Sequence, residues 1–374
     1  MFQRMSRREI VVFGDMEVGG GTVTDDFISD VALAKVFRFL GKKKSPIDLV
    51  LNGDTFDFLK CPAADGTYPL QVTEQISLGK LERALRAHSK VIDALKSFLN
   101  GKNKNLYFTF GNHDLDLAFP KVQQRIVEVL KSKRVHFGWS YEQFNVHVEH
   151  GQQYDKLNRT NGALVQIGDT TVLNLSYSSL GVLESFMRVK EGNPFLERIH
   201  SRKEMFKLVP SLLRTLRWCG ARQLFRQLYY DITRDPFRKT PRWLWRELWR
   251  RWLHNDWEVP DIVKVARKES GASLFVLGHL HHVYFEESDK LIVLPDTWRD
   301  EYLLDMHSLT LFPKNKYYAR IFIEGSKFKG WKLVHVPITR SVLRFEDVVK
   351  DQMKYLALAA HEEGYWPAKL KRTA

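Results

Sequence analysis

The stretch LYFTFGNHD, residues 106–114, decides the fold. Its first part, Leu106–Phe110, has the length and composition of a buried strand. A glycine follows, which lets the backbone turn sharply, and then come amide, imidazole and carboxylate side chains at 112–114. Ligands of α/β sheets bind beyond the carboxyl ends of the strands. The stretch therefore predicts a strand that delivers polar side chains to a binding site.

The same arrangement recurs on both sides of this stretch. Further strand-length apolar runs are Ile10–Phe13, Leu49–Leu51, Val146–Val148, Leu274–Leu277 and Leu291–Leu294. The loops after four of them contain Gly14-Asp15-Met16-Glu17, Gly53-Asp54, His150-Gly151 and Gly278-His279-Leu280-His281-His282. Helical patterns at Ile28–Leu40, Leu81–Leu99 and Val122–Leu130 separate several runs. Alternating strands and helices predict an α/β layered architecture whose parallel strands bring these loops to one edge.

Size and composition exclude several classes of protein. The chain has 374 residues and is 44% hydrophobic, enough for one large core or two domains. Its two cysteines, Cys61 and Cys219, exclude a disulfide framework. The apolar run Ile10–Phe13 is too short for a signal peptide, and no stretch approaches the ~18 apolar residues of a membrane-spanning helix. We therefore expect a cytoplasmic protein, soluble or peripheral on the inner membrane face.

The net charge of +14 is unevenly distributed. Residues 181–260 contain seventeen Lys or Arg against nine Asp or Glu, together with six of the ten tryptophans. This contrast predicts a distinct segment inserted into the chain. The expected organisation is a first core part at 1–180, a basic Trp-rich helical insertion at 181–262, a second core part at 263–340, and a C-terminal helix with a basic tail at 341–374.

The collected side chains have the chemistry of a metal site. They are Asp15, Glu17, Asp54, Asn112, His113, His150, His279 and His281. Carboxylate, amide and imidazole ligands without thiolate suit Mn²⁺, Fe or Zn²⁺. The set is large enough for two divalent ions, which would share a bridging carboxylate such as Asp54 and turn a water between them into a hydroxide nucleophile. We expect Mn²⁺ in preference to Fe or Zn²⁺.

His113 is the expected catalytic residue beside the metals. It follows Asn112 directly and should lie at the rim of the site. A cationic His113 would stabilise the transition state or protonate the leaving oxygen. We expect Asp114 to orient the imidazole and raise its basicity, as carboxylates do for functional histidines.

The order of these motifs resembles the calcineurin-like metallophosphoesterase superfamily over Glu9–Asp155 and Leu274–Arg299. The resemblance implies a four-layer αββα sandwich of two mixed β-sheets flanked by helices, here with a helical insertion. It implies hydrolysis of a phosphomonoester, phosphodiester or pyrophosphate. It also implies two ligand sets that share Asp54: Asp15, residue 17, Asp54 and His281 for the first metal, and Asp54, Asn112, His150 and His279 for the second.

Position 17 departs from the family pattern, which has histidine two residues after the first aspartate. Glu17 either replaces the histidine as an oxygen ligand or marks a weak or empty first site. An additional anionic ligand makes a metal a poorer Lewis acid and raises the pKa of its bound water. A non-catalytic scaffold with the same fold is the alternative. Glu17 is the only residue in its favour, and the other candidate residues argue against it: Asp15, Asp54, Asn112, His113, His150, His279 and His281.

Three roles are open for the insertion. Apolar residues of Met205–Leu216 fall on one helical face, and Trp245, Trp249 and Trp252 follow a helical stripe with arginines mainly outside it. The segment either packs on the core as a cap, or binds an anionic membrane surface, or binds nucleic acid, which we rank lowest. In the membrane alternative, the segment resembles the helical cap of the UDP-2,3-diacylglucosamine pyrophosphohydrolase branch of the superfamily, which acts on a lipid-tailed substrate. The expected substrate is a phosphorylated small molecule, such as a nucleotide, or a lipid-linked phosphate.

Several other residues are expected to be structural. Asp25 and Asp26 should cap a helix near Phe27 or steer the Asp15 loop. Asp57 should cap or buttress its loop, with substrate contact as the alternative, and Arg299 should form a salt bridge, with phosphate binding as the alternative. His88 should be a packing or surface residue, and His282 should either support the site or contact substrate. Toward the C-terminus, two strands within Tyr317–Pro337 are expected to complete the second sheet, followed by a helix over Val342–His361.

Overall fold

Strand β1 is buried on both faces and runs through the middle of a six-stranded sheet. The computed structural model describes residues 7–233, 245–247, 262–263, 268 and 271–365. The strand order is β15-β14-β1-β2-β3-β4, with parallel pairing from β1 to β4 and antiparallel pairing beyond. Its strands are β1 (Arg7–Gly14), β2 (Ile47–Asn52), β3 (Lys104–Thr109), β4 (Val135–Gly138), β14 (Lys316–Glu324) and β15 (Lys327–Val336).

A five-stranded sheet has the order β10-β11-β9-β6-β5 and is also mixed. Its strands are β5 (Ser140–Gln143), β6 (Val146–Glu149), β9 (Leu274–Leu277), β10 (Val283–Glu287) and β11 (Leu291–Pro295). Two smaller sheets are formed by β7 (Leu164–Ile167) with β8 (Thr170–Leu173), and by β12 (Tyr302–Asp305), β13 (Thr310–Pro313) and β16 (Leu343–Arg344).

The helices follow the predicted alternation with strands in the first half of the chain. They are α1 (Asp30–Lys42), α2 (Glu74–Ala87), α3 (Ser89–Leu99), α4 (Pro120–Leu130), α5 (Tyr177–Gly181), α6 (Met187–Gly192), α7 (Arg202–Leu208), α8 (Pro210–Thr233), α9 (Phe345–Lys350) and α10 (Gln352–Glu362). Short 3₁₀ turns lie at Leu115–Ala118 and Gln152–Tyr154, and a π-helical turn, Val182–Phe186, joins α5 to α6. Within the described residues, no helix is both long and apolar enough to cross a membrane.

Three apolar clusters define the layers. Between the large sheets, Ile10 and Val50 of one pack with Val148 and Val276 of the other. On the outer face of the six-stranded sheet, a second cluster joins strand residues such as Phe13 to α1–α4. The outer face of the five-stranded sheet carries its own small apolar cluster. Each fully buried aliphatic side chain stabilises this arrangement by about 1.5–3 kcal/mol. The predicted sandwich of two mixed sheets is confirmed.

Helical predictions were correct in location but missed the breaks. The pattern over Leu81–Leu99 predicted one helix, yet it divides at His88, whose ring is buried between two carboxylates. The face over Met205–Leu216 divides before Pro210, which begins α8 because proline fits the first helical turn. The helix predicted over Val342–His361 divides at Asp351, which caps α10 by accepting from Lys354 N at 3.0 Å.

The strands predicted within Tyr317–Pro337 exist, but their predicted place was wrong. They are β14 and β15, and β14 pairs antiparallel with β1. They therefore extend the sheet that contains β1 instead of completing the second one. The strand β14 takes this place because its alternating inward residues, such as Ile321 and Ile323, fill the layer between the two sheets.

The first part of the insertion is integrated into the protein. Val189, Phe195, Ile199 and Met205 belong to one buried cluster with Phe345 and other residues of the C-terminal helices and the three-stranded sheet. Residues 187–205 of the predicted insertion are therefore packed against the C-terminal part of the chain. The predicted tryptophan stripe beyond residue 233 lies outside the described residues except for 245–247.

Candidate metal centre

The loops of the candidate site hold an unusual backbone conformation. Five of the predicted ligands have left-handed φ angles: Asp15 (27°), Glu17 (49°), Asp54 (45°), His279 (69°) and His281 (52°). Residues with a side chain rarely adopt this region, and each such residue costs on the order of 1–3 kcal/mol. Strained backbone concentrated at strand ends is typical of a functional site, where the surrounding fold enforces it.

Two glycines allow the loops to approach closely. A methyl group on Gly111 would overlap the carboxylate of Asp54, and one on Gly53 would overlap the ring of His150. Gly53 also has a φ of 66°, which favours glycine. These residues therefore hold three strand-end loops within contact of one another.

One group of side chains is built around Asp54 and His150. Ligand atoms of Asp54, His150 and His279 all lie within 4.8 Å of one another. His150 Nε2 lies 3.1 Å from Asp54 Oδ2, while its Nδ1 lies 3.1 Å from the carbonyl oxygen of Asn52, which directs Nε2 into the site.

Asn112 Oδ1 is buried and has no hydrogen-bond partner among the described residues, and His150 Nε2 is buried against the carboxylate of Asp54 at 3.1 Å. Both atoms belong to predicted ligands. Buried polar atoms are nearly always satisfied. A divalent cation is the partner that suits an imidazole nitrogen and an amide oxygen beside carboxylates. The described residues therefore fit a metal ion here.

A second group shares Asp54 with the first. Ligand atoms of Glu17, Asp54 and His113 also lie within 4.8 Å of one another. His281 Nε2 lies 3.2 Å from Asp15 Oδ1 and 3.6 Å from Glu17 Oε1. The predicted side chains of both ligand sets are thus brought together at one edge of the sandwich, with Asp54 between them.

Glu17 is held by two buried cations. Lys60 Nζ lies 2.8 Å from Glu17 Oε2, and Arg299 NH1 lies 3.3 Å from Glu17 Oε1. Burial alone would raise the pKa of Glu17, but Arg299 and Lys60 outweigh burial and hold the pKa at about 2. The glutamate is therefore an anion, and the expected structural salt bridge of Arg299 is present.

The predicted pairing of Asp114 with His113 is wrong. His113 Nδ1 lies 2.9 Å from Oδ1 of Asp57, a buried residue expected only to buttress its loop. The carboxylate of Asp114 instead accepts from the backbone N–H groups of Thr55 and Gly111, at 2.7 Å each. Asp114 thus ties the Asp54 loop to the turn that carries His113.

The electrostatics of His113 follow from the carboxylates around it. Burial would lower the pKa of His113, but Asp54, Glu17 and Asp57 outweigh burial and raise it to about 10. The Nδ1 contact with Asp57 leaves Nε2 as the atom that faces outward from this pair. The surrounding carboxylates therefore favour the cationic form of His113.

Other predicted structural residues also take part in the surroundings of the site. Asp25 accepts from Gly21 N at 2.8 Å and Phe27 N at 3.0 Å, so it stabilises the loop before α1. Asp26 does not cap a helix; it is fully buried and pairs with Lys60 and other cations. His282 is exposed, and its Nδ1 lies 2.9 Å from Leu280 O.

Residues 9–283 match the sequence profile of the calcineurin-like phosphoesterases. The chain belongs to this family. Family members hydrolyse phosphoesters with the help of divalent metal ions, and the present chain carries residue groups that could hold such ions. The structure of Vacuolar Protein Sorting 29 from Cryptosporidium parvum is similar at 12% identity with a TM-score of 0.28, covering 89% of this chain and 100% of that chain. No curated protein sequence matches the phosphoesterase chain.

Proposed function

We propose that this phosphoesterase hydrolyses a phosphoester or pyrophosphate at a dinuclear Mn²⁺ centre. The observation that carries the proposal is the position of Asp54, which belongs to both groups of potential ligands. The first ion would be held by Asp15, Glu17, Asp54 and His281. The second would be held by Asp54, Asn112, His150 and His279.

The bound ions would supply Lewis-acid chemistry, activating water and stabilising negative charge on the phosphoryl oxygens. The chain's own residues do the rest. Asp57 fixes the His113 ring through Nδ1, which leaves the proton on Nε2 for the leaving oxygen. Asn112 Oδ1, which is buried without a hydrogen-bond partner among the described residues, and His150 Nε2 would be ligand atoms of the second ion. Asp114 accepts from the backbone of Thr55 and of Gly111 and so connects the loop after β2 to the loop after β3.

Glu17 is proposed as an oxygen ligand of the first ion. Its Oε1 lies on the same side as His281 Nε2, 3.6 Å away, while Oε2 is paired with Lys60. The two nearby cations offset the charge that glutamate adds relative to histidine. An empty first site, the alternative raised by the sequence, would give a stoichiometry of one ion per chain.

A phosphorylated small molecule or a lipid-linked phosphate at an anionic membrane surface is proposed as the substrate. Helix α8 supports the membrane part. Trp218 and Phe225 lie seven residues apart on one face and are 70% and 71% exposed. Arg214, Arg217 and Arg222 on the same helix are also exposed. Exposed aromatics among arginines suit an interface of anionic headgroups.

The test begins with protein stripped of metal by a chelator. Mn²⁺, Mg²⁺, Zn²⁺ and Ca²⁺ are added back separately, and hydrolysis of p-nitrophenyl phosphate and of bis(p-nitrophenyl) phosphate is followed. We expect turnover with Mn²⁺ and two bound ions per chain. In Asp54→Asn, we expect both turnover and the binding of the two ions to be lost. Asp93→Asn, at an exposed residue of α3, is the matched control. No turnover with any of the four metals would favour the non-catalytic scaffold.

A further inference from the structure

A buried ammonium lies at the centre of four carboxylates beside the candidate metal centre. Lys60 Nζ lies 2.8 Å from Glu17 Oε2, 2.8 Å from Asp26 Oδ2, 2.9 Å from Asp57 Oδ2 and 3.2 Å from Glu197 Oε2. The lysine is 3% exposed. Carboxylates of Glu17, Asp26 and Asp57 lie close enough to hold a metal ion, but the ammonium already fills the space between them.

Two of these carboxylates connect Lys60 to the proposed chemistry. The other oxygen of Glu17, Oε1, lies 3.3 Å from Arg299 NH1 and 3.6 Å from His281 Nε2. Asp57 turns its other oxygen, Oδ1, toward His113 Nδ1. The backbone N–H of Lys60 also donates to Asp57 Oδ1 at 3.0 Å. A single residue thus fixes both a proposed metal ligand and the partner of the proposed catalytic histidine.

We propose that Lys60 is a positioning residue that restricts Glu17 to one ligand oxygen and aligns the Asp57–His113 pair. The proposal rests on the proposed metal centre. The ammonium restrains Oε2, so a first ion receives only Oε1. It also replaces part of the positive charge that would otherwise have to come from the metal.

Removal of the ammonium should change Mn²⁺ affinity and turnover in opposite directions, whereas a loss of folding would lower both. Without Lys60, Oε2 of Glu17 loses its ammonium partner and can join Oε1 as a ligand atom, and a fixed positive charge near the first ion disappears. Mn²⁺ should therefore bind more tightly. Asp57 loses the cation at Oδ2, so the His113 ring is less well fixed and turnover should fall. Replacement of a residue with a merely structural role would weaken both metal binding and turnover.

The experiment compares Lys60→Met with Lys80→Met by titration calorimetry of metal-free protein with Mn²⁺. Lys80 is also buried, but its ammonium donates to the carbonyl oxygen of Phe58 at 3.0 Å. Thermal unfolding verifies that each variant is folded. If Lys60→Met does not fold, Lys60→Gln, which keeps a hydrogen-bond donor, takes its place.

We expect Lys60→Met to bind the first ion at least about tenfold more tightly and to turn over p-nitrophenyl phosphate at least about tenfold more slowly. Lys80→Met should change neither by more than about twofold. In a Glu17→Gln background, the added effect of Lys60→Met on Mn²⁺ affinity should be smaller, because the part that acts through the Lys60–Glu17 contact is absent.

Unchanged or weaker Mn²⁺ binding in folded Lys60→Met protein would overturn the inference, as would an equal effect in the Glu17→Gln background. Such results would leave the metal centre itself intact. Absence of Mn²⁺ binding by the unaltered protein would instead overturn the proposed function, and this inference with it.

Discussion

Nδ1 of His113 lies 2.9 Å from Oδ1 of Asp57, a residue 56 positions earlier in the chain. The contact joins the loop after β3 to the loop after β2. It leaves Nε2 as the only ring nitrogen of His113 available to a substrate. Under the proposed function, Asp57 would set the direction of the ring and His113 would donate the proton to the leaving oxygen.

Replacement of either residue should lower turnover without removing the metals. We expect His113→Ala to reduce kcat by about 10²–10⁴-fold, because the leaving oxygen loses its proton donor. Asp57→Asn should cost about 10–100-fold, since the ring remains but is less well oriented. Mn²⁺ content measured by elemental analysis should stay near that of the unaltered protein. Loss of an ion in His113→Ala would make His113 a ligand instead.

The turn at Gly111 is expected to tolerate no side chain. Gly111→Ala would place a methyl group on the Asp54 carboxylate, so we expect a loss of roughly 1–3 kcal/mol in the free energy of unfolding. Mn²⁺ affinity should fall as well. Gly79→Ala, in the interior of α2 with no atom near its added methyl, should stabilise the protein by up to about 1 kcal/mol. Urea unfolding measures both. If Gly111→Ala and Gly79→Ala had the same free energy of unfolding, the loop at Gly111 would not approach Asp54 as closely as described.

His88 should make stability depend on pH. Its ring is buried between Asp25 and Asp30, 2.9 Å and 3.0 Å away. Burial would lower the pKa of His88, but these two carboxylates raise it to about 10, against 6.5 in the unfolded chain. Between those values the folded state holds a proton that the unfolded state releases, so this contribution is complete below pH 6.5 and is lost as the pH rises toward 10.

The corresponding measurement is the free energy of unfolding between pH 6.5 and 9.5. We expect the unaltered protein to lose on the order of 3 kcal/mol over this range through His88. His88→Gln should be less stable at pH 6.5 and should show a flatter dependence. Parallel curves for the two proteins would show that His88 binds its proton no more tightly in the folded state.

Helix α8 offers a test of the membrane proposal. A double substitution, Trp218→Ala with Phe225→Ala, should abolish flotation with vesicles containing anionic phosphatidylglycerol. Neutral phosphatidylcholine vesicles should not retain the unaltered protein. Trp139→Ala, at an exposed tryptophan after β4, is the control. Recovery of the unaltered protein in the soluble fraction with both vesicle types would exclude the membrane surface as a partner.

Much of the fold could be predicted because the main strands are short, apolar and buried on both faces. Runs such as Leu49–Leu51 and Leu274–Leu277 contain no polar residue, so their positions are evident from composition. The glycines next to Asp, Asn or His at the strand ends then predicted where the candidate site lies. The sheet to which β14 belongs could not be predicted, because an alternating pattern does not identify its pairing partner.

The surroundings of the centre were harder to predict. Lys60 follows an ordinary apolar stretch, and Glu197 lies 137 positions away in the insertion. Neither belongs to a recognisable motif, and their contact exists only in the folded chain. The break at His88 was missed for a related reason: the apolar period runs through it, and the two carboxylates that contact the ring are brought there only by the fold.

Residues 190–198 of the predicted insertion also contribute charges beside the candidate metal centre. Lys190 and Arg198 pair with Asp26 at 2.8 Å and 3.2 Å, and Glu197 pairs with Lys60 at 3.2 Å. Glu17 and this segment therefore belong to one network of charges connected through Lys60 and Asp26. A chimera that replaces the segment would remove Lys190, Glu197 and Arg198 from this network. Grafts between relatives should exchange position 17, Lys60 and residues 187–205 together.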